Sequence, residues 1–289
     1  MKKPTPEEIQ KVMLELGLPP ALMTDLTAPV PKNTVTRVDG TIKVTLDFPS
    51  VKGLDTGHQL EVKFFISKNS LLTVHYEEME GLDRFKRQFE VAATLRKKQS
   101  HLTGAHLFLS LFNNLYESTS SKLDYMESKL AEIESEIFKN NEKQMVFEIS
   151  TISKKIIAFR HVMSAHEDVF NNLASVFEAL FGKTFSSEIR SLEHQYAVLE
   201  RRVNMQYKIM TALRETNGAM LNTKQNEIMK IFTVMAFTTF PLMLFSSLFG
   251  MNTENTPLLG HPADFWIIVG IMLIATIGFF TYFKHKGWM

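Results

Sequence analysis

Two stretches near the C-terminal end carry no charged side chain: residues 231–249 (IFTVMAFTTFPLMLFSSLF) and residues 265–283 (FWIIVGIMLIATIGFFTYF). A helix rises about 1.5 Å per residue, so either stretch crosses roughly 30 Å of hydrocarbon. A pair of buried core helices is the competing explanation, but uncharged runs of about 18 residues or more mark membrane spans. Charge is divided accordingly. Residues 227–289 hold only Lys230, Lys284, Lys286, Glu227, Glu254 and Asp264, and every other fixed charge lies upstream. The expectation is a polar body followed by a membrane hairpin. Lys224 and Lys230 precede the first span and Lys284 and Lys286 follow the second, while residues 254–264 contain no Lys or Arg. Positive flanks stay in the cytoplasm. Both termini and the body are therefore expected inside a cell (inner or plasma) membrane, with a short acidic loop outside. The first eight residues, MKKPTPEE, carry no apolar run, so no signal peptide is expected. Trp266 and Trp288 sit near opposite ends of the second span, where aromatic belts lie.

Several function classes fall away on composition. The net charge of +1 gives no electrostatic footprint for nucleic acid. The absence of cysteine removes disulfides, thiolate metal sites and thiol nucleophiles. Histidines offer little: His101/His106 and His161/His166 are five apart, whereas a chelating helical pair needs a spacing of four, so surface or interface roles are expected. Gly182-Lys183-Thr184 resembles the end of a phosphate loop, but that motif needs glycine where Phe177 stands, and a helix C-cap is the better reading. Neither GxGxxG nor GxSxG is present. Nothing points to an enzyme.

The body divides by period. Residues 35–38, the Asp39-Gly40 turn and residues 41–46 read as a β-hairpin, and residues 60–66 and 71–76 around Ser67-Lys68-Asn69-Ser70 read as a second. Residues 83–98 then read as a helix covering that sheet. No proline occurs between Pro49 and Pro241, and Gly182 is the lone glycine between Gly104 and Gly218, so long helices follow. Residues 119–139 have an apolar stripe, Leu123, Met126, Leu130, Ile133 and Ile137, and residues 142–181 read as helix up to Gly182. From Ser186, the residues Ile189, Leu192, Tyr196, Leu199, Val203, Gln206, Met210, Leu213, Asn217, Met220 and Lys224 form a seam at 3,4 spacing that runs into the first span. One helix over 186–249 would be about 100 Å long. A seam of that length predicts a helical oligomer. Gln206, Asn217 and Lys224 predict either a water-accessible axis at its membrane end or a device that fixes register.

At the far end of the first span stand Gly250-Met251-Asn252, followed by Thr253-Glu254-Asn255. This placement resembles the CorA family of magnesium channels, whose hallmark is Gly-Met-Asn there. The entry segment Asn226-Glu227-Ile228-Met229-Lys230, Pro241, the tail Tyr282–Trp288 and the strand segment Ser67–His75 are similar to the family as well. The resemblance covers about residues 35–289. It implies an α+β cytoplasmic domain with a long helical stalk and two C-terminal transmembrane helices, assembled as a funnel-shaped homopentamer in the lipid bilayer. The domain reading is 1–112 cytoplasmic α/β domain, 113–185 helical hairpin of the funnel, and 186–253 stalk continuing as the pore helix. Residues 254–264 form the external loop, 265–283 the second transmembrane helix and 284–289 a basic tail. Five copies of Asn252, with Gly250 and Met251, would contact a hydrated cation at the outer mouth, and Glu254 would concentrate cations there. Carried over residue by residue, Asn226, Met229, Phe232, Ala236, Phe240, Met243, Ser247 and Gly250 would line the pore. Their spacing of three and four also fits one straight helical face, independently of the resemblance.

The implied cargo is Mg²⁺, with Co²⁺ and Ni²⁺ as passengers. Met243 stands where many relatives have threonine, which makes the middle of the pore drier. The family senses magnesium through acidic pairs between subunits. Here Ser191 falls where an acid is expected, Glu188 and Glu193 lie near, and Asn113 and Asn114 stand where relatives often carry aspartate, which leaves such regulation in doubt. Two alternatives remain open at this point: a zinc transporter of the same superfamily, and a non-conducting, membrane-anchored coiled-coil scaffold.

Overall fold

The structure is a computed structural model, and it describes residues 1–23, 33–50, 59–95, 103–251, 260 and 262–288. The chain forms two compact units, Met1–Glu215 and Thr216–Met289.

The first unit is built on a four-stranded antiparallel meander: β1 (Thr34–Val38), β2 (Thr41–Pro49), β3 (Gln59–Ile66) and β4 (Leu71–His75), in the order β1-β2-β3-β4. Val38 pairs with Thr41 across Asp39-Gly40, whose φ values of 43° and 78° are the two left-handed residues of a type I′ turn. The register places Phe65 beside Leu72 and Lys63 beside Val74 on one sheet face. That face packs against α1 (Pro6–Leu16), where Ile9 and Met13 join Phe65, Leu72 and Val74. The helix has full start and stop signals. Thr5 and Glu8 form a capping box, Pro6 opens the first turn, and Gly17 closes it in the left-handed conformation.

The opposite sheet face carries Phe48 and Phe64 against α3 (Gly104–Phe138), with ring centroids of Phe64 and Phe108 5.4 Å apart. Phe108 and Phe112 are wholly buried, each contributing about 1.5–3 kcal/mol of hydrophobic stabilisation. Helix α2 (Glu80–Leu95) does not cover the sheet. It lies on α3, with Asn114 Nδ2 donating to Gln88 Oε1 at 3.3 Å and a Cβ on Gly81 reaching Leu115 Cδ2 at 3.1 Å. Helix α3 also begins fifteen residues before its expected start. At that start the Gly104 amide donates to the Lys68 carbonyl at 3.0 Å, and a Cβ there would lie 2.2 Å from the Ser67 carbonyl oxygen and 2.3 Å from that of Ser70. Only glycine allows the strand turn to dock on the helix start.

Residues 142–181 are two helices, α4 (Glu142–Ser164) and α5 (His166–Phe181), where one was expected. No proline or glycine announces the break. It falls where the His166 ring enters the core: its Nε2 donates to the Asp47 carbonyl at 2.6 Å and its Nδ1 accepts from the Tyr116 hydroxyl at 3.0 Å. His166 is fully buried, so the expectation of a surface histidine fails here. Burial lowers its pKa to about 4, partly opposed by the bond to Asp47, so the ring is neutral at ordinary pH. His161 is exposed on α4, and His101 lies outside the described residues.

Helix α6 runs from Lys183 to Phe249, 67 residues, starting three residues before the expected stalk. Gly182, at φ 92°, ends α5 as the predicted cap. The apolar seam from Ile189 to Leu213 is buried within the first unit itself. Arg202 bonds Ser120, Asp124 and Glu127 of α3, and Arg214 bonds Ser153 of α4. The seam therefore does not itself demand an oligomer. Gln206 donates to the Leu123 carbonyl at 2.8 Å, which fixes the register of α6 against α3 in place of lining a water path. Asn217 is likewise buried, at 3% exposure.

The second unit holds the end of α6 and helix α7 (Asp264–His285). No part of the most apolar window of α7 is buried inside the protein, whereas a core helix would be mostly buried.

Candidate ion pathway

The apolar end of α6 has two unlike faces. Val234 is 8% exposed, and Thr238, Pro241, Leu242 and Phe249 are half-buried. Next to this stripe, Phe237 meets Phe283 of α7 with ring centroids 6.3 Å apart. Helix α7 answers with Ile268, Met272, Ala275, Phe279 and Phe283, its less exposed residues at spacings of three and four. That stripe is invisible in the sequence, because the whole run is apolar and has no polar face for contrast.

The residues expected to line a pore fall on the other side. At about 100° per residue, Asn226, Met229, Phe232, Ala236, Phe240, Met243, Ser247 and Gly250 cluster roughly opposite the Val234 stripe. All are exposed except half-buried Ala236, with Phe232 at 60%, Phe240 at 63% and Met243 at 64%. Met251, also exposed, follows the helix end. Asn252 and Glu254 lie outside the described residues. Gly250 donates to the Ser246 carbonyl at 3.0 Å, and a Cβ on it would stand 3.1 Å from that oxygen, so a bulkier residue would crowd the helix exit that leads into Met251-Asn252.

Polar groups in this stretch are satisfied locally. The hydroxyls of Thr233, Thr238 and Thr239 each donate at 2.8 Å to the carbonyl four residues earlier. Thr276 does the same to Met272 in α7. In hydrocarbon, where water offers no alternative, such back-bonding is what lets threonine sit in a span.

Among the described residues no three His, Asp or Glu side chains converge to hold an ion. Asn113, where the resemblance leads one to expect an acid, accepts at its Oδ1 from Gln195 Nε2 of α6 at 2.9 Å. Ser191, Glu188 and Glu193 are exposed on α6.

A family profile described as CorA-like Mg2+ transporter protein matches residues 1–285. The chain belongs to this family. It is 23% identical over 226 residues to the cobalt/magnesium transport protein CorA of Methanocaldococcus jannaschii, a match covering 78% of this chain and 70% of that protein. It is 20% identical over 283 residues to the cobalt/magnesium transport protein CorA of Thermotoga maritima, covering 97% and 80%. The solved complete structure of the M. jannaschii CorA magnesium transporter superposes with a TM-score of 0.85 at 20% identity, covering 100% of this chain and 90% of that one. The architecture is thus the CorA one: an N-terminal α/β domain, a long helix and two candidate C-terminal membrane helices. Family members are membrane proteins with two C-terminal spans.

Proposed function

We propose that this chain is a divalent-cation channel that conducts Mg²⁺ into the cytoplasm, with Co²⁺ and Ni²⁺ as further passengers, and that it works as a homopentamer with both termini cytoplasmic. The observation that carries this reading is the exposed face of α6 opposite its α7 stripe. In hydrocarbon a single protomer has no use for Asn226, Ala236, Ser247 and Gly250 interleaved with Met229, Phe232, Phe240 and Met243 along one face. Five copies around an axis give it one.

The chemistry suits a hydrated ion. Mg²⁺ demands octahedral oxygen coordination and releases its water reluctantly. A collar of neutral Asn252 amides, reached through Gly250 and Met251, hydrogen-bonds that water shell without stripping it. It also holds the ion weakly enough to let it go, as conduction requires. Glu254, repeated around the mouth, raises the local cation concentration. Phe232, Phe240 and Met243 form apolar rings that gate by dewetting. Lys224, Lys230, Lys284 and Lys286 fix the orientation by the positive-inside rule.

The test is uptake into liposomes by the purified protein. Asn252→Ala is expected to abolish Mg²⁺ entry while leaving the oligomer intact. Unchanged Mg²⁺ uptake by that variant would remove the Asn252 collar from the account, and no uptake by the unsubstituted protein would favour a non-conducting scaffold. Zinc uptake driven by a proton gradient with no Mg²⁺ flux would replace the proposal with a zinc transporter.

A further inference from the structure

Between Phe237 of α6 and the C-terminal third of α7 lies a cavity of about 630 Å³ that belongs wholly to the second unit. Ala275, Gly278, Phe279 and Phe283 line it, and so do Lys286 and Trp288, which stand at the C-terminal end of α7 and so mark its mouth. The lining is apolar except at that mouth, where the Lys286 ammonium stands 5.9 Å from the Tyr282 ring centroid and Trp288 stacks on Phe283 at 5.7 Å. Its volume falls in the ~300–1,000 Å³ range of ligand sites. Lys284 follows the same helix end, and no acidic residue occurs after Asp264.

We infer that this cavity binds one anionic phospholipid, with an acyl chain between Phe237 and the Ala275–Gly278 face and its phosphate against Lys286. The inference rests on reading α6 and α7 as membrane spans. Charge selects the occupant. A dry, apolar slot opening at a cationic, aromatic rim matches a lipid with a negative headgroup. The cytoplasmic leaflet supplies anionic lipids, which attract lysines next to a span. A second protein copy offers no such match, since the chain's own spans are uncharged. Gly278 keeps the slot open: a Cβ there meets nothing within 4 Å.

The protein has two tryptophans, and Trp266 lies at the other end of α7, so Trp266→Phe leaves Trp288 as the sole reporter at the mouth. This protein is reconstituted in phosphatidylcholine vesicles, and Trp288 fluorescence is quenched by acyl-brominated phosphatidylglycerol or acyl-brominated phosphatidylcholine. The expected result is about a fivefold preference for the anionic lipid, the selectivity that one lysine near such a headgroup supplies. Lys286→Gln should remove most of that preference and Lys284→Gln little of it. Gly278→Leu, which fills the slot, should weaken quenching by both lipids. Equal quenching by the two lipids in the starting protein overturns the inference, as do equal losses in the two lysine variants, which would mean diffuse surface attraction. Absent quenching that Gly278→Leu leaves unchanged also overturns it, in favour of a second copy covering the slot. The readout needs no ion flux, so lipid binding without conduction would remove the channel reading alone, and conduction without lipid preference would remove this one alone.

Discussion

The two ends of helix α6 meet opposite conditions. From Ile189 to Leu213 its apolar seam is consumed inside the protomer, where Tyr196 stacks on His166 and Phe170 of α5 and Arg202 and Arg214 flank it with bonds to α3 and α4, and its polar Gln206 is tied to a backbone carbonyl. From Ile231 to Phe249 a narrow stripe faces α7 and the rest is exposed, phenylalanines included. An apolar seam therefore does not by itself imply association. The seam that looked most like an intersubunit contact is the interior of one subunit, and the face that lacks a partner is the one in the membrane. There hydrocarbon tolerates apolar exposure, and small and polar residues mark where copies or water come close.

Substitutions sharpen this contrast. The largest effect is expected from Gly104→Ala, because a Cβ would sit 2.2 Å from the Ser67 carbonyl oxygen. The first unit should lose about 3 kcal/mol, the upper part of the usual overpacking range. In the intact detergent-solubilised protein its thermal transition should drop while the helical signal of the membrane segments persists. Loss of both together would show that the two regions are not independent.

Acid is the next probe. The pKa of His166 is lowered to about 4 by burial, against 6.5 for an exposed imidazole. The unfolded chain therefore takes up the proton first. Stability from keeping this ring neutral is complete above about pH 6.5 and is lost as the pH falls from there toward 4, by up to about 3 kcal/mol. His166→Gln should flatten that slope in a pH series of melting curves. An unchanged slope would place the acid sensitivity elsewhere, and not at Asp47, whose pKa is raised by burial and then by Glu61, so that its protonation favours the folded state as the pH falls. The uncharged stretches 231–249 and 265–283 have no comparable group and should not respond.

The smallest effect is expected at Gln206. Gln206→Leu removes a buried donor and a poorly satisfied amide together, which costs within about 1 kcal/mol. It should leave ion flux unchanged. A clear change in flux would return Gln206 to a water path and break the distinction between the two ends of α6.

Much of this was legible in the residues. Uncharged length gave the spans, Asp39-Gly40 the first hairpin, and Gly182 the helix end. The candidate pore set, read from its 3,4 spacing, lies on the exposed side of α6 apart from half-buried Ala236. Other features were missed for identifiable reasons. Helix α1 was legible and overlooked: Ile9, Val12, Met13 and Leu16 keep a helical period between the start signal Thr5-Pro6-Glu7-Glu8 and the stop at Gly17. The break before His166 comes from tertiary bonds to Asp47 and Tyr116, which no local pattern encodes. The true partner of the α6 seam was hidden because periodicity reports that a face is buried, not against what. The cavity beneath Gly278 depends on the packing of two uniformly apolar helices, where sequence contrast vanishes.

The absence of cysteine makes the central claim directly measurable. Single cysteines placed from position 232 to 250 in the otherwise unchanged protein can be challenged in liposomes with a charged, water-soluble thiol reagent during Mg²⁺ uptake. Modification that blocks flux should recur at 236, 240, 243 and 247, while 234, 238 and 242 stay protected. Uniform protection across the whole helix, or reactivity confined to the 234–238–242 side, would contradict a water path along the exposed face of α6.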